Sequence, residues 1–353
     1  MLQIYHELSN CSPSRHQDVY IFAITPLADR ALATITSADE LLLLPRDRLR
    51  ASDLTRIPNV PHGLTSLVSA DTGTTAICAG SDGVVAFFDI RTSSKIAQFR
   101  IEKPVDALAC KGHDVAFGSD ALVSIWDRRQ TKIRWQNTEI NDEVTALNFH
   151  PSQHNLLLSG GDDGLVSIFN IQIPEEEDSL VQAVSHGPIH KAGFLGPSDI
   201  YALSSDQNLA LHSLTIESTN ADAQENEIPP DQLGDLRPVV PCEYVIDIVH
   251  SGPDHIVACG SHRRADSHRS RVDLVKIDRA HQLNLDQRIV LEHAHGGEVV
   301  RSIFADEPSG VIFTAGEDGR IAAFAASETK VPSGTPSKAS KIKKGADVRY
   351  KPY

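Results

Sequence analysis

The chain has 353 residues, of which 41% are hydrophobic and only 5% aromatic, and its formal net charge is −14. A hydrophobic fraction of this size is enough for a large core, so the composition excludes a chain that is disordered throughout. There is no run of about 18 apolar residues, so no membrane span is expected. Residues 1–9 lack the basic flank and apolar run of a secretory signal, so no signal peptide is expected either.

The five cysteines lie far apart and form neither a CxxC pair nor a Cys/His spacing typical of a metal site. This pattern favours a reducing setting, in the nucleus or the cytoplasm. The charge is unevenly spread: from Lys338 onward six basic residues stand against Asp347, which gives that segment +5 and leaves −19 for the rest. Because DNA-backbone binding needs positive charge, an acidic body argues against direct DNA binding. It favours basic partners, or simply solubility.

A repeated pattern dominates the chain. An apolar strand is followed by a turn of small residues that contains Asp, and then by a second alternating strand with an aromatic residue six positions after the Asp. Four copies are clear: Asp82 with Phe88, Asp120 with Trp126, Asp163 with Phe169, and Asp318 with Phe324. Small and acidic residues between two apolar strands predict a β-hairpin.

Weaker copies fill the gaps. Ile200–Leu214 keeps Asp206 but has His212 at the aromatic position, Ala31–Leu44 keeps Asp39, and Val257–Ile277 carries an insertion. Seven hairpins result, most of them about 38 to 48 residues apart. A four-stranded unit that recurs every 40 to 45 residues is typical of a WD40 β-propeller. The spacing therefore predicts an all-β, seven-bladed propeller.

Each hairpin is preceded by one further strand, and most are followed by an outer strand. The seventh hairpin is an exception, because a Ser/Pro/Thr-rich segment follows Phe324. Residues 2–8, LQIYHEL, remain unused before the first blade. We therefore predict that this N-terminal strand supplies the outer strand of blade seven and closes the ring, which removes an open sheet edge. The predicted domain is 1–326, followed by a basic, flexible tail over 327–353.

Three segments exceed the repeat length and are predicted as excursions from the ring. Pro174–Ser179 is a short acidic loop, and Ser261–Arg271 is a basic loop within blade six. Glu217–Leu236 carries six acidic residues and no basic one. Structureless loops of that length are usually functional or disordered, and disorder is the favoured interpretation for Glu217–Leu236.

The repeat ends SDGVVAFFDIR and SDALVSIWDRR are similar to those of WD40 repeats. Asp142–Val181 and Ala294–Gly319 resemble the WD repeat-containing protein 89 family, including its fungal members, and the acidic loop after blade four belongs to the resemblance. The resemblance implies a scaffold that resides in the nucleus. It implies no catalytic activity.

The resemblance also shows where this chain departs from a complete WD40 blade, in which His, Ser or Thr, the turn Asp and Trp form a hydrogen-bonded tetrad. Only Trp126 is a Trp at its position. In blade seven His295, Thr314 and Asp318 match, but Phe324 has no donor. In blade four Ile140 stands at the His position. We therefore expect apolar packing to hold the blades together, and the turn aspartates mainly to cap turns.

No sequence motif for catalysis is present: GxSxG, GxxxxGK[ST] and HExxH are all absent. Pairs such as His262 with His268, or His293 with His295, lack a third ligand nearby and are interpreted as loop histidines. Asp162 and Asp163 beside glycines could suggest calcium, but a hairpin turn explains them. The chain is predicted to be no enzyme and to use no cofactor or metal.

Trp126-Asp127-Arg128-Arg129 fits a W-D-x-R pattern, and Phe88-Asp89-Ile90-Arg91 repeats it with Phe. Consecutive blades with this motif resemble substrate receptors of cullin-4 ubiquitin ligases, in which the Arg docks an adaptor. This resemblance makes Arg91 and Arg129 candidate partner contacts. The alternative is that Asp and Arg at strand ends only pair with their neighbours.

A further hypothesis uses the charge: the acidic ring could escort a Lys/Arg-rich client such as a ribosomal protein or histone. A solvated acidic surface is the alternative. The basic tail could be a nuclear-import signal, an RNA contact, a peptide read by a partner, a strap over the ring or a solubilising segment. We expect a monomeric propeller within a nuclear or cytoplasmic complex. The candidate tail residues are Lys341, Lys343, Lys344, Arg349, Tyr350 and Tyr353.

Overall fold

The computed structural model describes residues 2–214, 231–251, 254–261, 270–278 and 280–326. Within these ranges the regular structure is almost entirely β-strand, and its one α-helix is the four-residue α1 (Glu176–Ser179). None of the helices in these ranges is long and apolar enough to cross a membrane. The all-β prediction is therefore confirmed.

The strands form antiparallel sets of four, which we call blades in chain order. Five are separate four-stranded sheets. Blade one is β2 (Ile21–Pro26), β3 (Ala31–Thr36), β4 (Leu41–Pro45) and β5 (Thr55–Ile57); blade two is β6 (Leu64–Ala70), β7 (Thr75–Gly80), β8 (Val84–Asp89) and β9 (Ser94–Arg100); blade three is β10 (Ala107–Lys111), β11 (Asp114–Ser119), β12 (Leu122–Asp127) and β13 (Lys132–Asn137); blade four is β14 (Val144–Phe149), β15 (Leu156–Gly161), β16 (Leu165–Asn170) and β17 (Leu180–Ser185); blade five is β18 (Ile189–Phe194), β19 (Asp199–Ser204), β20 (Asn208–Ser213) and β21 (Asp231–Asp235).

The remaining strands make one eight-stranded sheet, which divides into two sets of four at β1. Blade six and blade seven are these two sets. Blade six is β22 (Tyr244–Ser251), β23 (Asp254–Ser261), β24 (Arg271–Ile277) and β25 (Leu283–Glu292); blade seven is β26 (Val300–Asp306), β27 (Val311–Gly316), β28 (Ile321–Ala326) and β1 (Gln3–Cys11).

The second strand of each blade is largely buried, because neighbouring blades cover both of its faces. All six residues of β7 and of β15 are buried. Outer strands such as β9 are mostly exposed. Seven hydrophobic clusters form in the described residues, and each joins two consecutive blades, including blade seven with blade one. Apolar packing between blades is therefore continuous around the ring.

The N-terminal strand closes the ring, as the sequence predicts. β1 pairs in antiparallel fashion with β28 from Tyr5↔Ala326 to Cys11↔Ile321. It also makes a contact that the sequence does not reveal, a parallel pairing with β25 over Gln3–Tyr5. Since β25 is the outer strand of blade six, β1 fastens blade six to blade seven as well as completing blade seven.

The ring has two faces that we name by their turns. The upper face holds the start of each first strand and the turn between the second and third strands. The lower face holds the turn between the first and second strands and the turn between the third and fourth strands. Candidate residues on the same face can contact one partner together, whereas residues on opposite faces cannot.

Two predictions about excursions need correction. The segment Glu217–Leu236 is not structureless throughout, because Asp231–Asp235 forms β21 and pairs with β20. The physical reason is that β21 pairs with the edge of β20 as the outer strand of blade five, and that Leu236, directly after β21, is fully buried. Residues 217–230 lie outside the described residues, as do residues 262–269 of the predicted basic loop.

The segment Pro174–Ser179 is also not a free loop, because it contains helix α1. The Glu176 carboxylate accepts hydrogen bonds from the backbone N–H and the hydroxyl of Thr138, at 2.7 and 2.8 Å. Ser179 is fully buried. These contacts tie the acidic segment to the end of β13, so it belongs to the junction between blades three and four.

Candidate functional site

Three turn aspartates cap the upper-face hairpins in the same way. Asp82, Asp163 and Asp318 each accept the backbone N–H of the residue two positions later, at 3.0 Å in all three turns. Asp82 also accepts the N–H of His62, which lies just before β6. These carboxylates therefore hold the upper-face turns.

Asp120 and Asp206 stand at the same turn position but bond differently. The Asp120 side chain is 68% exposed and contacts Lys103 Nζ at 3.2 Å. In the blade-five turn Ser204 Oγ takes the place of the Asp206 carboxylate and accepts the Asn208 N–H. Spacing alone therefore identifies the turn position but does not determine which side chain caps it.

Blade seven holds three members of the WD40 tetrad in contact. His295 is buried, its Nδ1 lies 2.7 Å from Asp318 Oδ1, and its Nε2 lies 2.8 Å from Thr314 Oγ1. Phe324 is fully buried at the fourth position and supplies no donor. This network links the start of blade seven to β27 and to the turn between β27 and β28.

Blade four has a cavity where the corresponding network would lie. A space of about 110 Å³ is lined by Ile140, Ser159, Asp163 and Phe169, the four tetrad positions of this blade. Ile140 has no polar atom that could join the serine to the aspartate. Blade four therefore lacks the polar link that His295 provides in blade seven.

A pair of carboxyl groups lies on the upper face between blades three and four. Asp106 precedes β10 and Glu143 precedes β14. Burial, followed by the charge of Glu143 and a hydrogen bond to it, raises the pKa of Asp106 to about 6. Asp120 adds a smaller effect in the same direction. The pair is therefore held together against electrostatic repulsion.

Sequence reasoning missed this pair. The available signal was that an acidic residue directly precedes the first strand in two successive blades, at Asp106 and Glu143. Only the pairing of blades brings these positions together: Glu143 forms an isolated bridge with Asp120 of the neighbouring blade. The hairpin repeat contains no information about this contact between blades.

The two W/F-D-x-R motifs lie on the lower face, in the turns between third and fourth strands. The Asp89 carboxylate accepts the Arg91 backbone N–H at 2.8 Å and an Arg91 guanidinium N–H at 2.8 Å. The Arg91 guanidinium hydrogen bond, together with that backbone bond, lowers the pKa of Asp89 to about 2. The Arg91 side chain is nevertheless 68% exposed. Phe88 is fully buried and anchors the motif.

The second motif is similar but looser. The Asp127 carboxylate accepts the Arg129 backbone N–H at 2.8 Å, and Arg129 Nε lies 3.6 Å from it. Burial acts to raise the pKa of Asp127, but the hydrogen bonds from Arg129 and Gln130 outweigh it and lower that pKa. The Trp126 ring stacks on Phe99 of blade two at 4.3 Å. Both arginines therefore pair with their own motif while exposing most of their surface.

The remaining candidate residues, Lys341, Lys343, Lys344, Arg349, Tyr350 and Tyr353, lie outside the described residues. Within the described ranges, no group of three or more His, Cys, Asp or Glu side chains is placed to hold a metal ion. The candidate site residues thus form two separate surfaces: the turn aspartates and the Asp106–Glu143 pair on the upper face, and the two arginine motifs on the lower face.

The fold defines the class of protein. Residues 136–170 match the family described as WD domain, G-beta repeat. The solved WD40 β-propeller domain of Doa1 superposes with a TM-score of 0.67 over 92% of this chain and 97% of that domain, at 13% sequence identity. The chain therefore contains a WD40 repeat and has the fold of a WD40 β-propeller.

Its relatives carry the same repeat. An uncharacterized WD repeat-containing protein of Saccharomyces cerevisiae is 34% identical over 255 residues, which is 69% of this chain and 62% of that protein. One of Schizosaccharomyces pombe is 28% identical over 90% of this chain and 98% of its own length. The WD repeat-containing protein 89 homolog of Dictyostelium discoideum is 24% identical over 70% of this chain and 67% of its own length. These homologues confirm the resemblance seen in the sequence. The chain spans less than two thirds of the S. cerevisiae protein.

Proposed function

We propose that this chain is a non-enzymatic scaffold that binds a basic segment of a partner protein at the carboxyl pair Asp106 and Glu143. WD40 propellers generally bind protein partners. The observation that carries the proposal is the contact of the half-buried Asp106 carboxyl group with the exposed Glu143; burial and Glu143 both disfavour the charged form of Asp106. A Lys or Arg side chain placed between the two carboxylates relieves the repulsion and gains a charge-assisted hydrogen bond.

The test is titration of a Lys/Arg-rich peptide against the full chain and two variants. Asp106→Asn removes one carboxylate and should weaken binding roughly tenfold, as expected for the loss of a hydrogen bond to a charged group. Asp47→Asn is the matched control, because Asp47 is a half-exposed carboxylate beyond β4, on the lower face. Wild-type affinity should rise from pH 5 to pH 7 and fall with added salt. Affinity that is independent of salt, or equal in the two variants, would contradict the proposal.

A second candidate function is docking of a cullin-4 adaptor through Arg91 and Arg129. It is favoured by one specific observation: both guanidinium side chains are about two-thirds exposed, on the same face of adjacent blades. Arg91→Ala and Arg129→Ala together should abolish adaptor recovery in a pulldown, and Arg48→Ala is the control because Arg48 has similar exposure. Equal recovery from all variants would reject the docking role.

The cellular setting is part of the proposal. A nuclear or nucleocytoplasmic complex is supported by the resemblance of the sequence and by the basic run Lys341–Lys344 in the tail. Imaging of the full chain with Lys341, Lys343 and Lys344 changed to Gln tests this. Loss of nuclear signal supports import through the tail, whereas an unchanged distribution contradicts it.

A further inference from the structure

An apolar slot opens between blades six and seven. Its volume is about 290 Å³, and its walls include Val249, Ile256, Ile289, Ile303 and Val311. All five of these side chains are only partly buried; Val249, Ile256, Ile289 and Ile303 pack against the hydrophobic cluster of this junction, and Val311 packs against the cluster between blades seven and one. Apolar side chains at such a slot gain free energy from being covered, because burial removes their surface from water.

The slot lies at the lower face, where the turn between β26 and β27 forms part of its wall. Glu307 and Gly310 of this turn line the slot, and Tyr5 of β1 lines it on the outer side. An occupant must therefore approach from the lower face, close to the junction of β1 with β28.

The chain itself leaves the propeller at this place. Ala326, the last residue of β28, pairs with Tyr5. Ile312 pairs with Phe324, so the same register brings Ala326 level with Gly310, two positions further along. Residues 327–353 thus begin between two residues that line the slot.

We propose that the first part of this C-terminal segment docks in the slot, with Val331 as its apolar anchor. Val331 is the first apolar side chain after Ala326. Five residues reach about 17 Å when extended, which is enough to fold back over the slot. Lys330 directly precedes the anchor, and its charge complements the Glu307 carboxylate at the mouth. Because the segment is tethered beside the slot, its effective concentration is far above that of a separate partner.

Hydrogen exchange of the full chain tests the docking. Val331→Asp should speed exchange of the amides in 305–312 about fivefold or more, because a charged anchor leaves the slot and exposes its walls. Val348→Asp is the matched control, since it makes the same change 17 residues further along the tail and should leave the exchange rates as in wild type. Equal rates in wild type and Val331→Asp would overturn the proposal, as would acceleration by Val348→Asp.

A second measurement separates docking within one chain from other occupants. Ala305→Leu narrows the slot from its wall and should speed tryptic cleavage after Lys330, relative to cleavage after Lys338 of the same chain. Circular dichroism checks that this variant stays folded. Cleavage ratios equal to wild type would overturn the docking. Sedimentation that showed a dimer of wild type and a monomer of Val331→Asp would place the segment in a second copy and overturn docking within one chain.

Discussion

The contacts of His295 lead to a quantitative prediction for His295→Ala. The imidazole is fully buried as a side chain and uses both ring nitrogens, one toward the Asp318 carboxylate and one toward the Thr314 hydroxyl. Alanine removes both contacts and leaves a void. The Asp318 carboxylate keeps the Arg320 backbone N–H, but the fully buried Thr314 hydroxyl loses the contact with His295.

The loss of stability follows from these contacts. A hydrogen bond to a carboxylate contributes about 1.5 to 3 kcal/mol and a neutral one about 1 kcal/mol. The void adds a cost that depends on how far the neighbours relax. We therefore expect the free energy of unfolding to fall by about 3 kcal/mol, which lowers Tm by roughly 5 °C in a chain of this size.

Urea denaturation followed by circular dichroism measures this change. His62→Ala is the control, because the His62 side chain is 87% exposed, and its change should stay within about 0.5 kcal/mol. Thr314→Val removes only the hydroxyl, so its loss of unfolding free energy should lie between those of His62→Ala and His295→Ala. A loss below about 1 kcal/mol for His295→Ala would refute the view that this network stabilises blade seven.

Three other outcomes are expected. Deletion of residues 1–9 removes most of β1, so blade seven loses its outer strand and blade six loses its parallel partner. Thermal denaturation should therefore show a larger fall in Tm than any single substitution causes. An unchanged Tm would contradict closure by β1. Ile140→His should raise Tm slightly, because an imidazole fits the cavity beside Ser159 and Asp163; a lower Tm would show that the void cannot accept the ring. Asp106→Asn should change the pH profile of urea denaturation. The raised pKa means that the folded protein binds a proton that the unfolded chain releases between about pH 4 and 6, so Asp106 costs stability as pH rises through this window. Asp106→Asn should therefore gain stability relative to wild type as pH rises through that window. A stability difference between the two proteins that does not change with pH would count against the raised pKa.

The repeat spacing predicts the all-β propeller because each hairpin is a local unit whose turn and strands lie within about fifteen residues. Closure by β1 was also predictable, since Phe324 lacked a following strand while residues 2–8 had no other partner. Strand β21 was not predictable from the sequence, because its acidic residues resemble those of a solvated loop. The structure shows why they are compatible with a strand: Asp235 forms an ion pair with Arg237 at 2.9 Å, and Asp231 accepts a contact from His281 at 2.7 Å.

Contacts between blades were the least predictable features. The Asp106–Glu143 pair and the slot beside Tyr5 depend on how two non-local strands pack, and no local period encodes that geometry. The two arginine motifs, by contrast, were visible in the sequence. Their residues were identified from the sequence, yet only the structure places Arg91 and Arg129 on the lower face, away from the acidic pair. The two candidate functions therefore use different surfaces and can be tested separately.

The double pairing of β1 has a consequence for the order of folding. Glu7 of β1 pairs with Phe324 of β28, so this ladder joins residues from opposite ends of the described chain. Contacts of such long range make folding slow, although the entropy of closing a long loop grows only slowly with its length. Until β1 arrives, the outer edge of β25 and the free edge of β28 both expose unpaired backbone groups, which can pair with other chains. Closure by β1 covers the edge of β28 and residues Ile289–Leu291 of β25 in a single step, so the same strand completes the ring and protects these two edges from strand addition, whereas the outer strands of blades one to five keep a free edge.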